Sequence, residues 1–309
     1  MNIEGFAVDL IVRASQEHVQ DIYFLPVRGK YEISYRQNEE RVLIAQLAFE
    51  QGEKLINYFK YKAQMDVSEK TQPQYGSFEM SGVKMRLSSV SEFQFSETLV
   101  IRLLHDFVRG RTNYYCRRDY DDLFEETRAA GLYLFSGPVG SGKTTLMYEL
   151  CRELAATKQV IAIEDPVEIA DDNLLQLQIN EKIGIDYNAL IKVCLRHRPD
   201  VLIIGEIRDA LTMRAALRAS LTGHKVFATI HAQSVPGVIA RCLELGAAES
   251  ELSQVLRGVV YQRIITSDYG VGVLMEKKYG EYEKNGWPRK VARLVECGFI
   301  QEEKYYEKI

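Results

Sequence analysis

One segment near the middle of the chain restricts its fold more than any other. Residues Gly137–Thr144 match the pattern G-x-x-x-x-G-K-[ST] at every fixed position. The apolar run Leu132–Ser136 precedes this loop as a predicted buried strand, and Lys143–Ala156 follows it with apolar residues on one helical face. A strand, a glycine-rich loop and a helix in this order indicate the phosphate-binding loop of an α/β domain; a chance glycine-rich turn is the alternative.

The residue types in this loop are those that phosphate binding requires. Gly140 and Gly142 let the backbone turn its N–H groups inward, and the N-terminus of the helix favours an anion. Lys143 is predicted to reach the β- and γ-phosphates of ATP, and the hydroxyl of Thr144 to ligate Mg²⁺. The predicted nucleotide contacts are Gly137, Pro138, Val139, Gly140, Ser141, Gly142, Lys143 and Thr144.

A carboxylate follows another predicted strand. The apolar run Val201–Gly205 ends at Glu206. Ligands of open α/β sheets bind at the carboxyl ends of the strands, so Glu206 is predicted to face the γ-phosphate as general base or water-positioning group. The alternative is an acid at the start of a helix, followed by Arg208 and Asp209.

Acidic and histidine side chains lie at the ends of two further predicted strands. The acids that follow the strand Val160–Ile163 are Glu164, Asp165 and Glu168. They could hold Mg²⁺ or its water shell, and a solvated acidic loop fits the spacing equally well. His231 ends the predicted strand Lys225–His231, and His224 precedes that strand. Either histidine is a candidate active-site residue, although most lone histidines are structural.

Strands and helices alternate from about residue 130 onward. The predicted strands are Leu132–Ser136, Val160–Glu164, Val201–Gly205 and Lys225–His231, and the predicted helices are Lys143–Ala156, Tyr187–Arg198 and Asp209–Thr222. This alternation favours a mostly parallel sheet with helices on both faces. We therefore expect an α/β P-loop NTPase domain over residues 126–309, with a helical C-terminal tail.

The first 105 residues predict a smaller α+β domain. Predicted helices cover Ile3–Ala14 and stretches near 40–49 and 51–66, and predicted strands cover Asp21–Leu25, Tyr31–Tyr35, Ser77–Met80 and Val83–Ser88. The charged stretch 106–125 is predicted to be a linker, most simply a solvated hinge with the start of a helix.

Composition and charge exclude several classes of protein. A length of 309 residues favours two domains, and a net charge of −4 with a pI of about 5.9 does not indicate a general nucleic-acid-binding face. Glu4 and Asp9 argue against a secretory signal, and the longest apolar run, Ala129–Phe135, is too short to span a membrane. Five cysteines without a C-x-x-C pair favour reduced thiols that fill gaps in a cytosolic protein, and neither disulfides nor a zinc cluster.

Four segments, in this order, resemble the type II/type IV secretion ATPase superfamily of hexameric motors that assemble or retract pili. Gly137–Thr145 resembles its Walker A box and Ile163–Glu168 its Asp box. Leu195–Asp209 resembles its Walker B box and Leu221–Ala232 its His box. The resemblance implies a RecA-like ATPase core and adds Thr145 to the nucleotide contacts. It also implies that Glu206, Glu164 and His231 are catalytic.

The N-terminal domain resembles the N2 domain of the same superfamily. The matching segments are Val83–Ser88 and Glu97–Leu104. In the family, two arginines of this domain reach the nucleotide of a neighbouring subunit, and Arg86 and Arg102 occupy their places. Arg196 matches one of a pair of arginines before the Walker B strand, and Lys192 stands at the other position. The resemblance therefore implies catalytic roles for Arg86, Arg102 and Arg196.

Three departures from the family pattern narrow the subfamily. The chain shows no additional N-terminal domain and no four-cysteine metal loop, and Arg198 stands where most relatives have aspartate. Together with Gln20–Phe24 and Leu132–Gly140, these features are similar to the competence ATPases of Gram-positive bacteria.

That similarity implies an ATP- and Mg²⁺-dependent motor that assembles a pseudopilus for DNA uptake. Its implied partners are further copies of the chain in a homohexameric ring and an inner-membrane platform protein. The platform protein would hold it at the cytoplasmic face of the membrane, and no direct DNA binding is expected.

Three other functions stay open. A retraction motor of the same superfamily would also be short and lack the metal loop. A nucleic-acid translocase on the same core is disfavoured by the acidic pI, and a catalytically dead scaffold by the intact Lys143, Thr144 and Glu206. The direction of work, the identity of the pilin, the state of the ring and the role of the tail are not determined by these patterns.

Overall fold

Two units, Met1–Val108 and Arg109–Ile309, make up the chain in the computed structural model. They are called unit 1 and unit 2 here, and each has its own sheet and its own hydrophobic core. The structure describes residues 2–17, 19–37, 40–104, 112–138, 140–180, 183–267, 270–278 and 286–301. No helix within these ranges has the length and apolar character needed to cross a membrane.

Unit 1 is an antiparallel sheet with two helices. Its elements are α1 (Ile3–Gln16), β1 (Asp21–Val27), β2 (Lys30–Gln37), β3 (Glu40–Ala48), α2 (Phe49–Lys62), β4 (Gln74–Met80), β5 (Val83–Ser91) and β6 (Glu97–Leu104). The six strands lie in the order β3-β2-β1-β6-β5-β4, and neighbouring strands are antiparallel. The predicted α+β architecture of this part is confirmed.

The two helices of unit 1 bury apolar faces in its core. The buried residues of α1 recur at helical spacing: Ala7, Leu10, Ile11 and Ala14. Asn2 caps this helix because its side chain accepts the N–H of Gly5 at 3.2 Å. In α2, Phe59 packs edge-on against Phe24 of β1, with ring centroids 5.6 Å apart.

The helix predicted near 40–49 is wrong, because Glu40–Ala48 is a strand. It forms an antiparallel ladder with β2, with one register shift between Ile33 and Ser34, in which Val42 lies opposite Tyr35. The Leu, Ala and Gln residues of this stretch suit a helix, but the ladder satisfies its backbone polar groups and overrides that weak local preference. The helix begins only at Phe49.

A buried ion pair joins α2 to β6. Lys60 Nζ lies 2.5 Å from Glu97 Oε1, and the two side chains are 0% and 4% exposed. Lys60 also donates to the carbonyl of Glu69 at 2.7 Å, and the Tyr31 hydroxyl donates to the carbonyl of Glu97 at 2.7 Å. Each buried charge is thus compensated, and loss of one partner would leave the other buried alone.

Unit 2 is built on a larger sheet covered by helices. Its elements are α3 (Arg117–Glu126), β7 (Gly131–Ser136), α4 (Lys143–Ala155), β8 (Val160–Glu164), β9 (Leu175–Gln178), α5 (Tyr187–Arg196), β10 (Val201–Ile204), α6 (Ala210–Leu221), β11 (Lys225–Thr229), α7 (Val235–Glu244), α8 (Glu249–Val255), β12 (Leu256–Ser267), β13 (Gly270–Lys278) and α9 (Gly286–Glu296). The seven strands lie in the order β13-β12-β7-β11-β10-β8-β9. All neighbours are parallel except β12 and β13, so the predicted mostly parallel sheet is confirmed.

Successive residues of the central strand β7 belong to different cores. Leu132 and Leu134 pack into one hydrophobic cluster, whereas Tyr133 and Phe135 pack into another, together with residues of α4. All of β7 is buried. The sheet is therefore covered on both faces, which explains why its strands are apolar throughout instead of alternating.

The C-terminal part of unit 2 differs from the predicted helical tail. After α7 and α8, β12 adds a parallel strand beside β7, and β13 returns antiparallel to β12 before α9 begins. The middle of β12 is buried at consecutive residues, so its sequence lacks the alternation that marks a strand. Only α9 agrees with the predicted tail, and it contributes Val291 and Leu294 to the core.

Much of the predicted linker is part of unit 2. Residues 106–111 lie outside the described ranges, but 112–125 pack against this unit and do not form a solvated hinge. The N–H of Tyr115 donates to the carbonyl of Val273 on β13 at 3.1 Å, and Tyr120 of α3 is buried. The aromatic residues between the charges anchor this stretch, which a reading of charge alone overlooks.

The five cysteines are free thiols. Cys151, Cys194 and Cys242 are buried, as expected for residues that fill gaps, and burial raises the pKa of Cys194 to about 11. Cys116 and Cys297 are exposed, so the gap-filling interpretation is wrong for these two.

The buried ion pair predicts a measurable stability difference. Lys60→Met should lower the free energy of unfolding of unit 1 by about 3 to 5 kcal/mol, because the Glu97 carboxylate stays buried without its partner. Lys54→Met is the matched control, since Lys54 pairs with Glu50 on the exposed surface of the same helix. Urea unfolding followed by circular dichroism measures both variants. Equal midpoints for the two variants would show that the buried pair contributes no more than the exposed one.

Candidate nucleotide-binding site

The predicted phosphate loop connects β7 to α4 through backbone turns that only glycine adopts without strain. The φ angles of Gly137, Gly140 and Gly142 are 148°, 75° and 80°. Gly142 is also the N-cap of α4, so the helix begins at Lys143. Val139, one of the predicted nucleotide contacts, lies outside the described residues. The local conformation is the one that a loop with inward N–H groups requires.

The side chain of Lys143 lies over this loop. Its Nζ donates to the carbonyls of Gly137 and Pro138 at 3.0 and 2.9 Å. Burial lowers the pKa of this amine, and the nearby negative charges of Glu206 and Glu168 act in the opposite direction. Two carboxylates therefore share the environment of the loop lysine.

The strand order explains why these groups meet. β8, β10, β11 and β7 are consecutive parallel neighbours, so their carboxyl ends lie at one edge of the sheet. Ile204, near the end of β10, is in register with Ile163 of β8 and with Ala228 of β11. Glu164, Glu206 and His231 follow these positions within one to three residues, at the edge where ligands of such sheets bind.

Glu206 is held by neighbours on both of its oxygens. Its Oε1 lies 3.2 Å from Nε2 of His231, and its Oε2 accepts a hydrogen bond from Nε of Arg208 at 2.6 Å. The side chain of Glu206 is 16% exposed. Arg208 Nη1 also lies 3.9 Å from Oδ2 of Asp165, which follows β8. Arg208 thus joins the ends of β8 and β10, and Glu206 joins the end of β10 to that of β11 through His231.

Glu164 lies in a different, buried network. Its Oε1 accepts hydrogen bonds from the hydroxyl of Tyr148 on α4 and, at 3.4 Å, from Nε2 of Gln176 on β9. Burial raises the pKa of the Glu164 carboxyl group, while these hydrogen bonds act to lower it. This carboxylate is fixed between sheet and helix.

The acid that touches the predicted magnesium ligand is Glu168. The hydroxyl of Thr144 donates to Oε2 of Glu168 at 3.3 Å. A hydroxyl and a carboxylate are oxygen donors of the kind that Mg²⁺ prefers, so this pair fits the ion. The metal prediction for Thr144 and Glu164 stays a prediction, and the geometry adds Glu168 as the acid closest to the threonine hydroxyl.

Three predicted arginines lie elsewhere. Arg196 is exposed in the last turn of α5, and Lys192, one turn earlier on the same helix, is exposed too. Among the described residues, no contact joins Arg196 to the group around Glu206. Arg86 and Arg102 belong to unit 1 and lie directly opposite each other on β5 and β6. Arg102 forms a two-pronged ion pair with Asp21, at 2.7 and 3.2 Å.

The sequence predicted His224 as one candidate site residue and overlooked two residues that the structure places at the site. His224 lies near the C-terminal end of α6, where its Nδ1 is 3.1 Å from Oγ1 of Thr222, and it precedes β11, whereas His231 follows that strand. Arg208 and Tyr148, in contrast, were not predicted as site residues. Tyr148 lies one turn after Thr144 on α4, a spacing that places both on one helix face and could have indicated it. No local pattern indicates Gln176.

Comparison with known proteins shows to which family this chain is similar. The family model described as type II/IV secretion system protein matches residues 2–293. Competence protein ComGA of Streptococcus pneumoniae R6 is 46% identical over 302 residues, covering 96% of each chain. ComGA of Bacillus subtilis 168 is 34% identical over 279 residues, covering 85% of this chain and 76% of that protein.

Solved structures share the fold. The pilus retraction motor PilT with bound ADP superimposes with a TM-score of 0.77 at 22% identity, covering 98% of this chain and 96% of that one. The ATPase DotB of Legionella pneumophila gives a TM-score of 0.76 at 20% identity, covering 97% and 94%. At these identities the likeness supports the RecA-like fold alone.

The contact between Thr144 and Glu168 predicts how turnover depends on magnesium. Glu168→Gln should raise the Mg²⁺ concentration for half-maximal ATP hydrolysis about tenfold, because a charged oxygen beside the threonine hydroxyl is lost. Glu164→Gln, in the buried network, should leave that concentration nearly unchanged whatever it does to the maximal rate. Magnesium titrations at saturating ATP measure both. The reverse pattern would assign the ion to Glu164.

Proposed function

This chain belongs to the type II/IV secretion system protein family, and from that premise we propose that it is an ATP-hydrolysing motor that powers assembly of a competence pseudopilus for DNA uptake. One observation carries the enzymatic part of this proposal. The glycine loop, its lysine, two carboxylates and a histidine meet at the carboxyl edge of one parallel sheet. The similarity to two competence proteins supports the cellular role.

The loop binds the triphosphate in this proposal. Its N–H groups and the N-terminus of α4 face the phosphates, and the amine of Lys143 neutralises the β- and γ-phosphates. That amine already lies over the loop, bonded to the carbonyls of Gly137 and Pro138. A short rotation of its side chain moves the charge from these neutral acceptors to a far stronger anionic one. The predicted contacts Gly140, Ser141, Thr144 and Thr145 complete this set.

Glu206 acts on the water that attacks the γ-phosphate. Its two oxygens are fixed by His231 and Arg208, so the carboxylate has one orientation toward the edge of the sheet. A fixed carboxylate can orient a water molecule in line with the phosphorus atom and accept its proton. His231 is half exposed and in contact with Glu206, which places it to sense or share that proton.

Magnesium supplies charge neutralisation of the phosphates when it is bound. The hydroxyl of Thr144 and the carboxylate of Glu168 would hold it, directly or through its water shell. Glu164, bound by Tyr148 and Gln176, would order the loop that carries Glu168, because its carboxylate accepts a hydrogen bond from the backbone N–H of Glu168. Glu164→Gln keeps an oxygen acceptor for this bond.

Activity requires a ring in this proposal, since the arginines of unit 1 act on the nucleotide of a neighbouring copy. Arg86 and Arg102 lie opposite each other on adjacent strands, so both side chains belong to one face of the sheet. Arg102 is paired with Asp21 of its own chain, and in the proposed ring it would exchange this carboxylate for the negative charge that develops on a neighbour's γ-phosphate, as arginine fingers do in trans. Arg196 is a third candidate for such a contact. The proposed assembly is a homohexamer.

The remaining partners follow from the cellular role. A platform protein in the inner membrane would bind the ring at the cytoplasmic face of the membrane and receive its movement. Net charge −4 gives the chain no general attraction for DNA, so the DNA is handled by other components. A retraction motor is the alternative on the same fold.

Glu206→Gln should stop ATP hydrolysis and retain ATP binding, because shape and hydrogen bonding stay while the carboxylate is lost. The loss in turnover should be at least about a hundredfold. Glu249→Gln is the control, since Glu249 is an exposed acid of α8. Phosphate release and equilibrium binding of a fluorescent ATP analogue give the two readouts. Loss of binding together with turnover would assign Glu206 to nucleotide or metal binding instead.

Mixed rings test the action of Arg102 in trans. A Lys143→Ala chain lacks the loop lysine but donates a normal arginine, and an Arg102→Ala chain has the opposite defect. Mixtures of these two inactive chains should regain partial ATPase activity at interfaces where an intact loop meets an intact arginine.

The measurement is steady-state ATPase rate against mixing ratio, after subunit exchange has been shown by mass. Arg28→Ala is the control in unit 1 and should be active alone. Mixed rings that stay as inactive as their parents at every ratio would place the function of Arg102 within its own chain.

The cellular role is tested in a strain from which the gene for this protein has been deleted. The deletion should abolish pseudopilus filaments and DNA uptake. Reintroducing the wild-type gene should restore both, and reintroducing the Glu206→Gln gene should restore neither. Electron microscopy of sheared filaments and transformation frequency measure these outcomes. Deletion that leaves more or longer filaments would indicate a retraction motor.

A further inference from the structure

Strand β12 lies directly beside the phosphate loop, a contact that no sequence pattern predicted. Tyr261 of β12 pairs with Ser136, the last residue of β7, so the next residue, Gln262, lies beside the first residue of the loop, Gly137. A Cβ atom on Gly137 would lie only 2.2 Å from the carbonyl oxygen of Gln262. Glycine is therefore required here by the neighbouring strand as well as by its φ angle.

The side chain of Gln262 continues from this strand into the loop. It is 1% exposed, and its Nε2 donates to the carbonyl of Ser141 at 2.6 Å. A Cβ atom on Gly142 would lie 3.4 Å from the same nitrogen. The amide thus touches the loop at its far end, while the backbone of the same residue touches its beginning.

This contact meets a requirement of phosphate loops in general. A loop that turns its N–H groups toward an anion must turn its carbonyl groups away, and those carbonyls need other donors. Lys143 serves the carbonyls of Gly137 and Pro138, but its amine is the group expected to move to the phosphates. Gln262 serves the carbonyl of Ser141 with a neutral amide, which has no charge to give to the nucleotide.

Two unpartnered polar atoms mark the same place. Among the buried side-chain atoms of the described residues, three have no hydrogen-bond partner: Oε1 of Gln262, Oγ of Ser141 and, in unit 1, Oγ of Ser89. Buried polar groups without partners are destabilising and rare. An apolar side chain of similar size would avoid this cost, so packing alone does not account for glutamine at this position.

We propose that Gln262 is a positioning residue for the phosphate loop: its amide holds the Ser141 carbonyl away from the nucleotide, so that the loop N–H groups face the phosphates. This inference rests on the proposed function of the loop and extends it to a residue of β12, in the antiparallel pair β12–β13. The residue acts through the loop backbone and does not itself touch the nucleotide.

The test is Gln262→Met, which keeps the size of the side chain and removes the donor. It should weaken binding of a fluorescent ATP analogue, and competition by inorganic tripolyphosphate, about tenfold. The thermal midpoint should stay near that of the wild type, because the cost of leaving the Ser141 carbonyl without its donor is offset by removal of the unpartnered Oε1. Met275→Leu is the matched control, since Met275 is equally buried and lies opposite Gln262 on β13. It should leave both ligands unaffected.

A residue that only supports the fold would give the opposite result, a lower midpoint with unchanged affinity among folded molecules, and this outcome would overturn the proposal. If Gln262→Met does not fold, Gln262→Leu, which is also apolar and also lacks the donor, is measured in its place and should show the same weakening. Failure of both variants to fold would also overturn the proposal, because the amide would then stabilise unit 2 as a whole. A wild-type chain that binds no nucleotide would instead contradict the proposed function.

Discussion

Everything at the candidate site depends on how one short backbone segment satisfies its polar groups. In the proposed function, the segment between β7 and α4 turns its N–H groups toward the phosphates of the nucleotide and its carbonyls toward the protein. Three positive φ angles make the turns possible, and glycine supplies them. The outward carbonyls then need donors, which are Lys143 from the helix and Gln262 from the neighbouring strand. The loop is thus specified by the neighbouring strand β12 as well as by its own sequence.

The charges around the loop present a second constraint. Glu206 and Glu168 face Lys143, and Asp165 lies near Arg208, so in the proposed function a strongly negative triphosphate would bind beside several carboxylates. Coulomb repulsion would oppose this without compensation. Lys143, the N-terminus of α4 and a magnesium ion at Thr144 would provide that compensation, and Arg208 neutralises the two acids it contacts. Binding would then depend on cations, as expected for a substrate that is a metal–nucleotide complex.

The predictions from sequence succeeded where the determining interactions are local. The loop, its flanking strand and helix, and the acids at strand ends each follow from a short pattern. They failed where distant pairing decides. Residues 40–48 form a strand because β2 lies beside them, and β12 was overlooked because burial on both faces removes its alternation. The choice of Glu168 over Glu164 beside Thr144 depends on Tyr148 and Gln176 holding the latter, which no local pattern contains.

The position of bound nucleotide tests the central claim most directly. A crystal structure of the protein with Mg²⁺ and a non-hydrolysable ATP analogue should show the triphosphate along residues 137–144, with the γ-phosphate facing the side chain of Glu206. The amine of Lys143 should have left the carbonyls of Gly137 and Pro138 for the phosphates, while Gln262 keeps the carbonyl of Ser141. A nucleotide bound away from this loop, or phosphates that do not contact its N–H groups, would contradict the account.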